Sequence, residues 1–347
     1  MACSCRIGII PKYSALLCMM VVMIHNSIPH YFSYNADSLE SYIHYGITHY
    51  LKLLYACAVP SFFIISGFLF FRNYQKDDYV RKLKSRVHTL LIPYLLWNLF
   101  GLLTEMLSKI PFFSSMATIN STPFSWQSVL LGIFFHKYTI LWFVFMIIVY
   151  AIAAPILFHI VQRVKVFYVV FSLLLLTFFI FDSDVSYPFG IRVEYSSILY
   201  YLLGSYLGLH FKDFFSYRTH VNVYILTLGL MVTVVLENSI KGYFFYSHVF
   251  CNLIKLSFLY FIFAKIEDRI IERKWFGATF FIYAFHLPVM RFTTGILRFF
   301  FGEINFPLKE LTLYLSSFGV VMLVCLVVAH NLEIYTPRIY KLLTGNR

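Results

Sequence analysis

The chain has 347 residues, 60% hydrophobic, 20% aromatic and only 13% charged, with a mean hydropathy of +0.75. No soluble domain of this length needs so much apolar material, and the apolar runs continue from end to end, so residues 1–347 read as one membrane-embedded domain. The formal charge of +12 raises nucleic acid as a partner, but the cations sit in short connections between apolar runs, which excludes it.

Apolar runs fall near 13–30, 53–71, 89–108, 139–161, 167–182, 195–211, 221–237, 248–265, 275–298 and 311–330. Most match the roughly 17–25 residues a helix needs to cross a bilayer. A barrel would show alternating ten-residue strands instead. The expectation is an all-α polytopic protein with about ten transmembrane helices. With the N-terminus inside, 19 Lys and Arg residues fall in cytoplasmic segments and six in outer ones. That excess orients both termini to the cytoplasm, with short tails at 1–12 and 331–347. The first run lacks a small-residue cleavage site and reads as a retained span rather than a signal peptide. Six scattered cysteines show no pairing framework and no metal-ligand spacing, so no metal is expected.

The first run, Tyr13 to Ile28, carries His25 near its end. An ionisable group inside a span costs about 2 kcal/mol or more, so by default it faces a protein-lined cavity and marks a function. The plain alternative is a histidine that caps the span and bonds a neighbouring carbonyl. The second run reads Val59-Pro60-Ser61-Phe62-Phe63-Ile64-Ile65-Ser66-Gly67-Phe68-Leu69, where a proline and a Ser-Gly pair permit a kink and close helix contact.

Residues 72–88 are the most basic stretch, with Arg72, Lys76, Arg81, Lys82, Lys84 and Arg86 against Asp77 and Asp78. Two roles fit: an anchor on anionic headgroups, or a docking surface for a polyanionic ligand. In the long outer connection 109–138, Trp126, Val129, Leu130, Ile133 and Phe134 recur on one helical face. This predicts a short helix on the outer interface, either a lid or a passive element.

His286 lies in the ninth run. Counted from Lys12 and Trp275, His25 and His286 are about 20 and 17 Å into parallel spans, one layer if those spans are neighbours. Tyr283 sits one turn before His286 and Arg291 about a turn and a half after it. A histidine suits a general base acting on a hydroxyl, while a satisfied buried polar pair is the plain alternative. No nucleophile elbow, zinc-ligand pair or Walker loop is present. Lys255, Glu105 and Glu237 read as packing or snorkelling residues.

Five stretches in order, Met20-Val-Val-Met-Ile-His25, Val59 to Leu69, Leu91-Ile-Pro-Tyr-Leu-Leu-Trp97, Leu141-Trp142-Phe143 and Ile282-Tyr-Ala-Phe-His-Leu-Pro288, resemble the acyltransferase-3 family of integral membrane acyltransferases. Within it the chain looks most like the branch that O-acetylates bacterial surface polysaccharides such as enterobacterial common antigen. The resemblance implies a multi-pass protein of the bacterial inner membrane, surrounded by its lipids. The donor would be acetyl-CoA, or a related acyl-CoA, as co-substrate, with no permanently bound cofactor. The acceptor would be a hydroxyl of a surface polysaccharide, such as O-antigen, or of its lipid-linked precursor. His25 takes the position of the family's essential histidine, with His286 and Tyr283 orienting the acceptor or stabilising charge. Ser66, Gly67, Arg72, Arg81, Lys82, Lys84 and Arg86 would hold the donor, and Arg291 and Trp142 the acceptor.

One position departs from the family. An arginine commonly stands eleven residues before the histidine, where this chain has Ser14. Eleven steps of a helix return to within 20° of the same face, so positions 14 and 25 share a wall. Lys12, the nearest cation, lies about 140° away and could substitute only by snorkelling or a local shift. The alternative function is a polysaccharide or lipid-linked-sugar exporter. The absence of an internal repeat disfavours it, and a purely structural subunit would leave the buried histidines without a purpose.

Overall fold

The computed structural model describes residues 8–26, 39–107, 125–180, 185–186, 192–240, 247–301, 304 and 308–346. Each of the ten apolar runs contains helix, and the fold is all-α apart from a two-residue antiparallel pairing. The outer connection's first part, the Cys3 and Cys5 pair, Lys109 and Lys241 lie outside the described residues.

Among the described residues, six helical stretches are long and apolar enough to cross a membrane, and seven if a bent pair forms one span. The first, Ile9–His25 (α1), is shorter than that test requires. Leu39–Tyr55 (α2) and Ala58–Phe71 (α3) form one interrupted span. The interruption at 56–57 leaves Pro60 close to the start of α3, where its missing N–H costs little. Tyr79–Arg86 (α4) runs through a π-helical turn at Val87–Leu91 into Ile92–Leu107 (α5). Pro93 cannot donate to the Thr89 carbonyl, so the ladder loosens at this turn.

Trp126–Phe134 (α6) is the predicted short helix, capped by Ser125 Oγ accepting from Ser128 N at 3.1 Å. Its small face, Ser128 and Gly132, is buried, while Trp126, Leu130 and Phe134 point outward. An outward apolar face suits an interfacial helix. Trp142–Ile152 (α7) and Ala154–Val161 (α8) are bent by 72°, because Pro155 interrupts the ladder. Val164–Ile180 (α9) leads to a small hairpin, Val185–Ser186 (β1) against Val193–Glu194 (β2).

Ser197–His210 (α10), only 14 residues long, packs closely against α3. Gly204 and Gly208 form a GxxxG step whose α-carbons abut the backbones of Ile64 and Phe68, and Gly67 answers against Tyr201. A Cβ at any of the three would collide with backbone, so the glycines permit the close crossing.

Val223–Ile240 (α11) pairs with Ser247–Ile266 (α12). Between them Lys255 Nζ donates to Glu237 Oε2 at 2.6 Å and to the Leu53 carbonyl at 2.5 Å, with Lys255 fully buried. This corrects the reading of Lys255 as a snorkelling residue: its ammonium ends on a carboxylate and on a carbonyl freed near the α2–α3 break. Thr279–Phe301 (α13) contains Pro288 and packs on α1. Lys309–Tyr335 (α14) crosses beside it, and Pro337–Thr344 (α15) folds back onto α5, where Trp97 Nε1 donates to the Leu343 carbonyl at 3.0 Å.

Candidate active site

The first and ninth apolar runs are neighbours. Cys18 Sγ of α1 reaches the Thr279 carbonyl of α13 at 3.4 Å, and the matched depths counted from sequence then bring two imidazoles together. The rings of His25 and His286 lie 5.4 Å apart, centroid to centroid, tilted by 43°. His25 is half-buried in the last turn of α1 and His286 is wholly buried.

The tautomer of His286 follows from its partners. Its Nδ1 faces the carbonyls of Tyr283 at 2.8 Å and Ile282 at 3.1 Å, so Nδ1 carries the proton and donates. Nε2 is then a bare lone pair, buried and with no hydrogen-bond partner among the described residues. The alternative of a satisfied buried polar pair thus describes one nitrogen of His286 and leaves the other available. Asn26, next to His25, ends α1 and ties it to α14 by donating from Nδ2 to the Tyr314 carbonyl at 2.7 Å.

A cavity of about 270 Å³ runs between α1, α3, α7 and α13. Ser14 and Ser66 share its wall with Arg86, Phe143 and Tyr201, and Val21 and Tyr283 also line it. Neither histidine is a lining residue. Val21 is one helical turn before His25 and Tyr283 one turn before His286, so the cavity and the histidine pair adjoin along both helices. The Tyr283 hydroxyl donates to the Ile140 carbonyl at 2.6 Å, which seats α13 against the entry to α7.

The basic segment divides. Arg86 lines the cavity and lies over the Phe70 ring at 5.4 Å. Lys82 donates to the Phe70 carbonyl and sits over the rings of Phe70 and Tyr74. Arg72 pairs with Asp213 at 3.7 Å, Arg81 pairs with Asp78 while its side chain is 78% exposed, and Lys84 is exposed. Gly67 turns toward α10 rather than into the cavity; its neighbour Ser66 lines the cavity. Lys12 does not replace the missing arginine. It bonds Glu267 at 3.1 Å, beside Arg218 on the same carboxylate at 2.8 Å. The guanidinium that shares a cavity with Ser14 comes from Arg86 instead.

Of the two residues expected to hold an acceptor, Arg291 is half-buried on α13, five residues past His286 and about 140° round an ideal helix. Trp142 opens α7 and lies beneath a cation that the sequence reading left among the outer-loop charges: the Arg192 guanidinium stands 5.0 Å from its ring centroid. Nearby, His136 shares a hydrogen bond with the Tyr94 hydroxyl at 3.2 Å, and burial pushes it down to about 4, so it is neutral. No group of three or more His, Cys, Asp or Glu residues able to hold a metal exists among the described residues.

The acyltransferase-3 family, described as an acyltransferase domain, matches residues 15–330. The succinoglycan biosynthesis protein ExoH of Rhizobium meliloti (strain 1021) is 29% identical over 120 residues. That similarity spans 32% of this chain and 32% of the relative, about a third of each. No solved structure matches the chain.

Proposed function

Since the chain belongs to the acyltransferase-3 family, we propose that it moves an acetyl or related acyl group from acyl-CoA to a hydroxyl of a bacterial surface polysaccharide or its lipid-linked precursor. The observation that carries this reading is the His25–His286 pair, 5.4 Å apart and one helical turn beyond a cavity that holds Arg86. The partial likeness to a succinoglycan biosynthesis protein favours a glycan acceptor, and the surface-polysaccharide O-acetyltransferases are the branch the motifs resemble most. In this reading the protein sits in the inner membrane with ten spans and both termini in the cytoplasm. The Arg86 end of the cavity then faces the CoA supply.

Each cavity feature takes a role. Arg86, with Lys82 behind it, offers charge-assisted bonds to the donor's phosphates. Ser66 and the apolar lining from Val59 to Phe70 receive the acyl-bearing arm. His25 removes the hydroxyl proton as the oxygen attacks the thioester carbonyl, and the departing thiolate takes that proton back. His286, its tautomer fixed by backbone carbonyls, presents Nε2 to the acceptor hydroxyl or to His25. Trp142 and Arg291 border the acceptor side.

The test is transfer of label. Purified protein receives radiolabelled acetyl-CoA and glycan extracted from a strain lacking the protein. Label recovered in the glycan supports the assignment. Movement of glycan across the membrane without label transfer supports an exporter instead.

A further inference from the structure

Outside the histidine pair and its cavity stands Arg192, which immediately precedes β2 of the short hairpin and belongs to no span. Its position is over-determined. Its side chain is 43% exposed, its Nη2 pairs with Glu194 Oε2 at 3.0 Å, and its guanidinium lies over Trp142, the first residue of α7. The hairpin is itself pinned: Ser197 Oγ, at the start of α10, donates to the Glu194 carbonyl at 2.5 Å and meets the Tyr150 hydroxyl at 2.6 Å.

Arg192 belongs to the same group of residues as the candidate site. Trp142 beneath it is followed by Phe143, whose ring lies 6.0 Å from that of Tyr283, and the Tyr283 ring lies 6.4 Å from that of His286. Its Nε is buried and has no hydrogen-bond partner among the described residues. The lone pair of His286 Nε2 is orphaned too, as are Asn26 Oδ1 beside His25 and His136 Nε2. The buried donor of Arg192 and the buried acceptor of His286, each without a partner among the described residues, suit a ligand that supplies both. An attacking hydroxyl and an acyl carbonyl are such a ligand.

The chemistry needs a cation there. When the hydroxyl oxygen bonds to the thioester carbon, the carbonyl π pair moves onto oxygen while the hydroxyl proton passes to His25. The negative oxygen then drives the C–S bond to break, its pair leaving on sulfur, which takes the proton from the imidazolium. A fixed donor aimed at that oxygen is usually the largest single contribution to such a step. Among the other cations, Lys255 is spent on Glu237 and Lys12 and Arg218 on Glu267, Arg86 lines the cavity, and Arg291 lies about 140° round α13 from His286. Arg192 also stacks on the end of α7 where unpaired N–H groups concentrate positive potential.

We propose that Arg192 is a catalytic residue: its guanidinium neutralises the oxyanion formed at the acyl carbonyl, above the His25–His286 pair. The proposal rests on the acyl-transfer reading. It places the reacting carbonyl between the cavity and the outer hairpin, so the acyl group reacts at the end of the bundle far from Arg86.

Steady-state kinetics on purified protein in proteoliposomes, with labelled acetyl-CoA and extracted glycan, test it. Arg192→Met should lower kcat roughly 100-fold or more, with KM for acetyl-CoA within about threefold of wild type. Arg192→Lys should recover part of the loss, and millimolar guanidinium should rescue Arg192→Gly. Wild-type kcat in Arg192→Met, with His25→Ala inactive, overturns this assignment and leaves acyl transfer standing. Loss of activity that neither lysine nor added guanidinium restores also overturns it, because a merely structural arginine behaves that way. Failure of the wild-type protein to transfer label overturns the acyl-transfer reading itself.

Discussion

His25 and His286 come from helices 261 residues apart in sequence and stand 5.4 Å apart in space. One nitrogen of His286 is committed to backbone carbonyls and the other is left bare. Two imidazoles held this way suit proton transfer better than packing, because a packed histidine would have both nitrogens satisfied.

Replacing His286 therefore separates these roles. His286→Gln retains a donor to the Ile282 and Tyr283 carbonyls but loses the ring and its lone pair. We expect kcat to fall by about 10²-fold or more, in the range for general acid–base groups, while the protein remains inserted and monodisperse. The check is label transfer alongside size-exclusion profiles of the detergent-solubilised variant.

The cations of the basic segment should not be equivalent. Arg86 lines the cavity, while Arg81 and Lys84 are exposed. Exposed charges are screened by salt and contribute little. Arg86→Ala should raise KM for acetyl-CoA about tenfold or more, in keeping with loss of a charge-assisted bond. Arg81→Ala and Lys84→Ala should each change it less than about twofold. Placing an arginine elsewhere on the cavity lining, as Ser14→Arg in the Arg86→Ala background, should recover part of the affinity. Initial-rate measurements across acetyl-CoA concentration read all four variants.

The Lys255–Glu237 pair gives a stability prediction independent of catalysis. Removing one partner strands a buried charge, at a cost of about 3–5 kcal/mol. Lys255→Met should lower the unfolding temperature strongly, and Lys255→Met with Glu237→Leu should recover much of it. A thermal-shift assay in detergent follows both, and equal destabilisation in single and double variants would contradict the pairing.

The α3–α10 contact is similarly exposed to test. A side chain at Gly204 meets the Ile64 backbone, which cannot move as a flexible side chain can. Gly204→Leu should abolish accumulation of folded protein, whereas Gly319→Ala, on α14 with open space around its α-carbon, should be neutral. The measurement is fluorescence-detected size exclusion of both proteins.

Much of this was legible in the chain. Each apolar run contains helix, although Leu39–Tyr55 (α2), Tyr79–Arg86 (α4) and Pro337–Thr344 (α15) lie almost wholly outside the runs, and the depths of His25 and His286 put them in one layer. The amphipathic pattern at 126–134 located α6, although the apolar face turned outward, because small residues pack where bulky ones would not fit. Other features depend on tertiary contact. Nothing local distinguishes Lys255 from a snorkelling lysine, since its partner is 18 residues away on the next helix. Gly67 and Ser66 are adjacent, and only the crossing of α3 with α10 decides that one packs and the other lines a cavity. The GxxxG step at Gly204 and Gly208 was present to be read and would have flagged that crossing. Arg192 looked like one of several loop charges because a hairpin of two-residue strands has no periodic signature.

The central claim is that His25 is the base in an acyl transfer, and the most direct measurement is label transfer by His25→Ala. Proteoliposomes bearing wild-type or variant protein at equal density receive radiolabelled acetyl-CoA and extracted glycan. The expected result is label in glycan with wild type and, with the variant, label reduced to the background of empty vesicles. Wild-type rates from the folded variant would contradict the account.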